Sequence, residues 1–576
     1  MSGISLLLST AKDALMTQQQ AMDVIGHNVA NVNTPDYSRQ VPVIQANTPA
    51  SYAGLIFGRG ATVTEIQRNA NTFIENSLQQ RQSDLSATSE KEIYMGVLEG
   101  IFNENSGRSL SGQMADFWNA WHDLSNNPSG DSERSALYER GALLGQTFSD
   151  LSGDLAQLGG EMNLSIDNGV ETINEMTAKI ADLNEQIVSM SGMGNANDLI
   201  DQRQHLVNQL SEYLDVKYYV NDDNSMTVTT GKGYGLVSGT DSYSLSFDGN
   251  NVRWESSGAA STDITDTITG GKMGGWLDMR DTIIPEYNDK LNQLSGSLIR
   301  EVNNLHAQGV GLERMTDVTG TYGVGAGNNG VVLANTNLDF GDSIDTSGTK
   351  SFTIWLNDGS GNNTSSVIDV DGGTDSLDDI VTRINSVSPG NLIASDADGK
   401  LGITTAPGFS FAFSDDTSGA LAALGINTFF AGSNATDMKM NANLGSNKNL
   451  IAAGRVDATG QIASGDNTNA LDMAGLQYAD VDIKDSDGNV VASDTLDNYL
   501  AGLEGSIGIK SQSITRTREY NETIVNNLKD ARNNVSAVSI DEEMTQLIKF
   551  QHAYAAAAKL ISTADEMYQT LLDTKQ

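Results

Sequence analysis

The sequence predicts an elongated, multidomain α+β protein: a terminal α-helical coiled coil and a helical rod domain, with β-rich outer domains inserted. Three observations lead there. Both chain ends carry apolar residues at alternating steps of three and four. A long helical series fills much of the first half of the interior. Asp-Gly dipeptides fall at Asp248, Asp358, Asp371, Asp398 and Asp487, with none in the first 240 residues, and such dipeptides favour two-residue hairpins. At 576 residues the chain holds material for about four domains.

The first element is a helix with the seam Ile4, Leu8, Ala11, Leu15, Gln18, Met22, Ile25, Val29 and Val32, broken by one polar residue. From residue 85 to 215 the pattern stays helical, through Leu144, Phe148, Leu155, Met162, Ile166, Ile173, Ile180 and Ile187. Asn127-Pro128 opens a turn before the longest part of this series and Gly192–Asn197 a turn after it. Gly159, Gly160 and Gly169 are expected to break it. Residues 216–272 switch to alternation, as in Met226 to Thr229 and Tyr243 to Phe247. Residues 282–308 return to helix through Ile284, Leu291, Leu294, Leu298 and Val302. Residues 311–493 are rich in Gly, Asp, Asn, Ser and Thr with short apolar runs, which reads as a β-rich insertion with one helix near Leu377–Ile384.

From Ile509 onward there is neither Gly nor Pro. Ser539 with Glu542 has the form of a capping box ahead of the last helix. That helix carries two stripes. One is Phe550, Ala553, Ala557, Leu560, Ala564, Met567 and Leu571; the other is Ile540, Met544, Leu547, Tyr554, Ala558, Ile561, Tyr568 and Leu572. The expected domains are therefore 1–35 with 540–576 as the coiled-coil core and 36–215 with 273–310 and 495–539 as the helical rod. Residues 216–272 form a small β subdomain and 311–494 the outer insertion.

The net charge is −40, and it is unevenly spread. Residues 1–80 hold four basic and five acidic residues and 509–576 hold eight and nine, leaving 22 against 60 between them. An acidic body of this kind repels phosphate backbones, so nucleic acid is not an expected partner. Two nearly neutral, apolar ends suit packing on each other and on copies of themselves. There is no cysteine, which excludes disulfides and thiol chemistry. No run has the length of a membrane span, and the start lacks the basic region of a secretory signal.

Little in the sequence points to catalysis. The five histidines, His27, His122, His205, His306 and His552, are scattered. Gly325 to Gly330 fits GxGxxG but lacks a strand before it and a helix after it. Asp485 to Gly488 resembles the middle of a calcium loop, but Ile483 stands at the first ligand position, so a hairpin turn is the better reading. Trp118 and Trp121 share a helical face and read as core. No catalytic, cofactor or metal site is predicted, and the chain is not expected to be an enzyme.

Residues 14–22 (ALMTQQQAM) and 28–40 (NVANVNTPDYSRQ) closely resemble the signature of bacterial flagellar rod, hook and hook-associated proteins, with Asp36 where that family usually has Gly. Residues 538–543 (VSIDEE) and 551–559 (QHAYAAAAK) resemble the family's closing helix. Residues 180–187 (IADLNEQI), 197–203 (NDLIDQR) and 303–309 (NNLHAQG) resemble its hook-associated branch. The likeness covers 1–310 and 495–576 and is loose over 311–494.

The resemblance implies a structural subunit that polymerises into a ring at the hook–filament junction and couples hook to filament mechanically. It implies terminal helices paired as an inner layer around a channel, with β domains outward. Its implied partners are copies of itself, the hook protein, and the second junction protein or the filament side, with a cytoplasmic export chaperone on the C-terminal helix. Export would follow the flagellar type III route to the cell exterior without a cleaved signal peptide. Under this reading the subunit contacts are Leu8, Leu15, Met22, Ile25 and Val29 with Leu547, Tyr554, Leu560, Ile561, Met567 and Leu571. Asn28, Asn31, Asn33, Thr34 and Tyr37 would fix the turn after the first helix by capping and bonding loop backbone. Isolated amphipathic ends are expected to order only on assembly. The alternatives are another axial subunit, hook or second junction protein, which the long helical series disfavours, and a secreted surface adhesin.

Overall fold

The apolar repeats fold as helices, and the computed structural model describes residues 2–52, 55–102, 109–190, 194, 196–256 and 260–574. Among them eleven helices have eight or more residues. They are α1 (Ser2–Ala30), α2 (Thr72–Phe102), α3 (Leu110–Asn126), α4 (Asp131–Met190), α5 (Asn197–Tyr213), α6 (Gly271–Asp278), α7 (Ile284–Ala307), α8 (Leu377–Val387), α9 (Thr468–Gly475), α10 (Leu496–Ser536) and α11 (Ile540–Asp573). The chain divides into two units: Met1–Tyr94 with Glu161–Arg280 and Gln512–Gln576, and Met95–Gly160 with Asp281–Ser511.

In the first unit, α1 is followed by an antiparallel ribbon, β1 (Gln40–Ala46) with β4 (Ala61–Arg68), which carries the short hairpin β2 (Ala50–Tyr52) and β3 (Leu55–Phe57). A bulge between Val43 and Ile44 shifts the register. This ribbon lies inside the stretch expected to be helical. Its alternation is short and interrupted by Pro42, and the ribbon finds its partner in α1 rather than in a larger sheet. Residues 216–263 form a four-stranded antiparallel sheet and a three-stranded meander, where the alternation predicts strands.

The glycines expected to break the helical series do not. α4 runs unbroken from Asp131 to Met190. Its stripe from Leu144 through Phe148, Leu155, Met162, Ile166 and Ile173 to Ile180 is buried, and that burial outweighs the roughly 1 kcal/mol that each internal Gly costs. Gly169 has a packing reason as well: a Cβ there would stand 2.7 Å from the Trp276 ring. The turn expected at Gly192–Asn197 lies largely outside the described residues.

The second unit holds two three-stranded antiparallel sheets, one of strands 350–357, 363–370 and 410–414, the other of strands 317–319, 392–395 and 402–405. α8 stands where one helix is expected inside the insertion. Its Ser376 and Asp379 form a complete capping box. The Asp-Gly sites of this unit are not two-residue turns, whereas at Asp248 in the first unit two residues separate the bonded Asp248 and Asn251. Asp358 and Asp485 open five-residue loops, in which each carboxylate accepts hydrogen bonds from loop N–H groups while its own N–H reaches the carbonyl of Asn362 or Asn489. Asp371 leads into α8 rather than into a returning strand. Trp118 and Trp121 are fully buried in a ring cluster with Phe117, Phe429 and Phe430.

His306, at the end of α7, is wholly buried. Its Nδ1 lies 2.7 Å from the Asn427 carbonyl oxygen, to which it donates, and its Nε2 accepts from the Ala452 N–H at 3.0 Å. A proton on Nε2 would therefore face a donor. Burial pushes the imidazole down to about 4. Because the folded value lies below the unfolded one, the neutral ring's stabilising effect is intact above about pH 6.5 and is lost as the pH falls from there toward 4. The slope should be about 1.4 kcal/mol per pH unit. Thermal melts from pH 7 to 4.5 should show this loss in the second unit. A His306→Asn variant should melt lower throughout, with the excess acid sensitivity gone; equal slopes would contradict the assignment.

Candidate functional site

α1 is held from two sides. The ribbon lies against one: Thr17 is buried and its hydroxyl donates to the Ala61 carbonyl at 2.7 Å, while Gly60, at φ +84°, approaches Thr10 so closely that a Cβ would meet its carbonyl at 3.3 Å. On the other side is α11. Its first turn carries Glu543 beside Asn28, near the end of α1, and Ala564, twenty-one residues further on, is fully buried. At 1.5 Å per residue that is about 30 Å of helix running back along α1. The two terminal helices form an antiparallel pair.

A buried polar joint closes one end of the pair. Asn28 and Glu543 are each 1 % exposed. The Asn28 amide donates to Glu543 Oε2 at 3.0 Å and to the Gln40 carbonyl at 2.9 Å, and its oxygen accepts from the Gln40 N–H and the Tyr37 hydroxyl. Arg39 Nε reaches Glu543 Oε1 at 2.7 Å, and the Arg39 N–H donates to the Ser536 carbonyl at 2.8 Å. Glu543 is thus bound through both oxygens. Burial, and then the charges of Asp198, Asp201 and Glu543, push the Tyr37 phenol well above its usual range, so it stays a donor.

The turn after α1 is tied to α5. Ser38 N–H and Arg68 meet the Asp201 carboxylate at 3.2 and 2.5 Å, and Gln40 donates to Asp198 at 2.8 Å. Asp36 adopts φ +56°, the left-handed region that Asp tolerates better than most residues and Gly best. Its carboxylate takes His205 at 2.7 Å on one oxygen and Arg532 on the other. Burial opposes charge there, but the His205 hydrogen bond and the charge of Arg532 outweigh it and hold the carboxyl below its usual range. Asn31 bonds the His27 carbonyl and Thr34 bonds Asn31, while Asn33 is exposed, its side chain making no hydrogen bond among the described residues. Beside this turn lies a cleft of about 630 Å³ lined by His27, Tyr37, Asp182, Asp198 and His205 among others.

Of the apolar residues on the seams, Ile25 is buried; Leu8, Leu15, Met22, Val29, Leu547 and Ile561 are half-buried. Tyr554, Leu560, Met567 and Leu571 stay 38–49 % exposed, as do Met544 and Ile548 beside them at 45 % and 51 %. α11 seats its small residues, Ala557 and Ala564, and turns larger ones outward. Arg39, Glu543, Asp198 and Asp201 were not singled out as site residues, although each stands in a quoted motif. Nothing in the sequence pairs Arg39 with a residue 504 positions away. Among the described residues no group of three or more His, Cys, Asp or Glu could hold a metal ion, and no helix is long and apolar enough to cross a membrane.

The comparisons agree with this arrangement. The model of the flagellar hook-associated protein FlgK helical domain matches residues 95–321. The flagellar basal body rod FlgEFG protein C-terminal model matches 532–574, and the flagella basal body rod protein model matches 8–37. Flagellar hook-associated protein 1 of Salmonella typhimurium is 26 % identical, over 99 % of this chain and 100 % of its own. The protein of that name from Bacillus subtilis is 24 % identical, over 98 % and 97 %. The solved flagellar hook junction protein FlgK from Burkholderia pseudomallei shares the fold with a TM-score of 0.52 at 17 % identity, over 81 % of this chain and 100 % of that one.

Replacing Glu543 by Ala should leave the half-buried Arg39 and the buried Asn28 amide without their acceptor, at a cost of about 1–3 kcal/mol to the joint. Limited proteolysis of the full chain should then remove α11 first, while the melting of the second unit is unchanged. Wild-type resistance of α11 in that variant would show that the joint does not hold it.

Proposed function

We propose that this chain, which belongs to the family of flagellar hook-associated proteins, is a structural subunit of the bacterial flagellum that forms a ring at the hook–filament junction and couples hook to filament mechanically. The observation that carries the reading is the outward stripe of α11. Met544, Ile548, Leu560, Met567 and Leu571 keep large apolar surface in water on a helix whose small residues face α1. Large apolar side chains left in water along one helix mark an interaction surface, and the near-neutral charge of the two ends lets copies approach.

In this reading the paired helices are the unit that polymerises. The seam residues Leu8, Leu15, Met22, Ile25 and Val29 with Leu547 and Ile561 brace the pair, and Tyr554, Leu560, Met567 and Leu571 meet adjoining subunits. Asn28, Asn31, Thr34 and Tyr37 lock the turn that fixes how the pair leaves the body. Many repeated contacts suit transmission of torque better than one tight site. Copies of the chain, the hook protein and the second junction protein or filament are the partners. The chain reaches the outside by the flagellar export route, with a cytoplasmic chaperone covering the same α11 stripe beforehand.

Two substitutions separate the faces of α11. Leu560→Asp sits on the outward stripe, so the free subunit's melt should shift by less than about 0.5 kcal/mol. Between subunits the carboxylate would be buried at a cost of several kcal/mol in every copy, so cells should build hooks and shed filament subunits. Ala557→Asp should instead unseat α11 in the free chain, lowering its helical circular dichroism. Normal filaments with Leu560→Asp would rule out the outward stripe as an assembly surface.

A further inference from the structure

Next to the turn after α1 lies a second, mostly polar cavity of about 320 Å³, separate from the cleft at His27 and lined by Asp36, Glu75, Asn208, Arg532 and Ser536 among others. Two of its groups are buried and unanswered. Glu75 is 7 % exposed and its Oε2 has no hydrogen-bond partner among the described residues; Ser536 is 6 % exposed and its hydroxyl has none among them either. A buried carboxylate without a donor is costly to keep, so the missing partner needs accounting for.

The neighbouring groups do not supply it. Glu75 stands in the first turn of α2, where backbone N–H groups would ordinarily favour an anion. Asn71 takes them: its side chain accepts from Phe73 and Ile74 at 3.0 and 3.4 Å, and its carbonyl from the Glu75 N–H at 3.0 Å. Arg532 is turned to Asp36, Arg68 points its Nη2 to Asp201 and Ser38, and Gln79 and Gln204 both donate to Asn208. The charges facing Glu75 from the other elements are Arg532 and Arg68 against Asp36 and Asp201. These four charges balance one another, which leaves the Glu75 carboxylate without a cation of its own.

We propose that this cavity is a binding site for a single ammonium or guanidinium group, held by the Glu75 carboxylate with Ser536 as a second oxygen. An anion would meet the wrong charge. A divalent cation would find one free carboxylate where it takes several oxygen ligands, commonly carboxylates. A donor-rich monocation matches both the charge and the unpaired acceptor, and its planar or tetrahedral N–H groups suit a carboxylate well. Burial, opposed by Arg532 and reinforced by Asp36, pushes the Glu75 carboxyl up in the empty cavity, and a bound cation would reverse that. The same chemistry has two sources: a Lys or Arg side chain of an adjoining subunit, or a free amine or guanidine solute.

Methylguanidinium chloride is the probe, titrated into the full-length chain and read by thermal melting against potassium chloride at equal ionic strength. At ten times its Kd it should raise the wild-type transition by about 3 °C beyond the salt control. Glu75→Gln should abolish that response while melting no lower than wild type in its absence, and Ser536→Ala should weaken it. A shift that potassium chloride reproduces, or one retained in full by Glu75→Gln, overturns the site. The source is read from cells, and this arm alone rests on the junction reading. Filament loss with Glu75→Gln and an unimpaired melt assigns the cation to an adjoining subunit. Intact filaments, with the methylguanidinium response present in wild type, assign it to a solute. Should the junction reading itself fail, the titration still decides whether the cavity binds a cation.

Discussion

Glu543 is charged and almost wholly buried, so its position in the first turn of α11 has to be compensated from outside that helix. Asn28, in the last turn of α1, and Arg39, in the segment that leaves it, do this. A buried carboxylate with both oxygens engaged is weak evidence for net stability but strong evidence for a fixed geometry, because losing its donors would leave it buried and unpaired. The joint sets which end of α11 meets which end of α1, and hence the antiparallel direction. Ala557 and Ala564 are then buried, while Leu560, Met567 and Leu571 stay 41–49 % exposed. The free chain thereby supplies each terminal helix with the partner that an isolated helix would lack. Both ends are folded and paired here, rather than ordered only on assembly.

The turn between α1 and the ribbon carries the second constraint. Asp36 occupies a backbone conformation that Gly enters most easily. The carboxylate it brings there is used to reach both α5 and α10. Asp201 and Asp198 hold the next residues of the same turn. The turn is therefore a hub of charge-assisted bonds rather than a flexible connection, and it aims the terminal pair as seen in the first unit.

Much of this architecture is legible in the sequence, because it rests on periodicity. The steps of three and four place α1, α4, α7 and α11 well, and the Gly- and Asp-rich insertion does fold as small sheets with a capped helix near Leu377, although it holds α9 and two shorter helical turns besides. Where the reading fails, local rules yield to tertiary packing. Gly159, Gly160 and Gly169 stay helical because α4 buries its whole stripe, and Pro42 hides a ribbon whose support is α1. The site was legible in its residues but not in its connections. α11 has two apolar stripes with the same spacing, and nothing in the spacing says that Ala557 and Ala564 are buried while Leu560, Met567 and Leu571 of the same stripe stay exposed. Glu543 lies among three consecutive acidic residues, and nothing local marks it as the buried one. Glu75, likewise, looks like an ordinary first-turn carboxylate until its neighbours' donors are traced to other acceptors.

The central claim is that the terminal helices are already paired in the free subunit, with α11 locked by the joint at Glu543. The chain has no cysteine, so spin labels can be placed cleanly at Gln19→Cys and His552→Cys, both exposed. Pulsed electron resonance on the full-length monomer should give one narrow distance distribution, which Glu543→Ala broadens. A broad distribution in the otherwise unaltered chain, equal to that of the variant, would contradict the account.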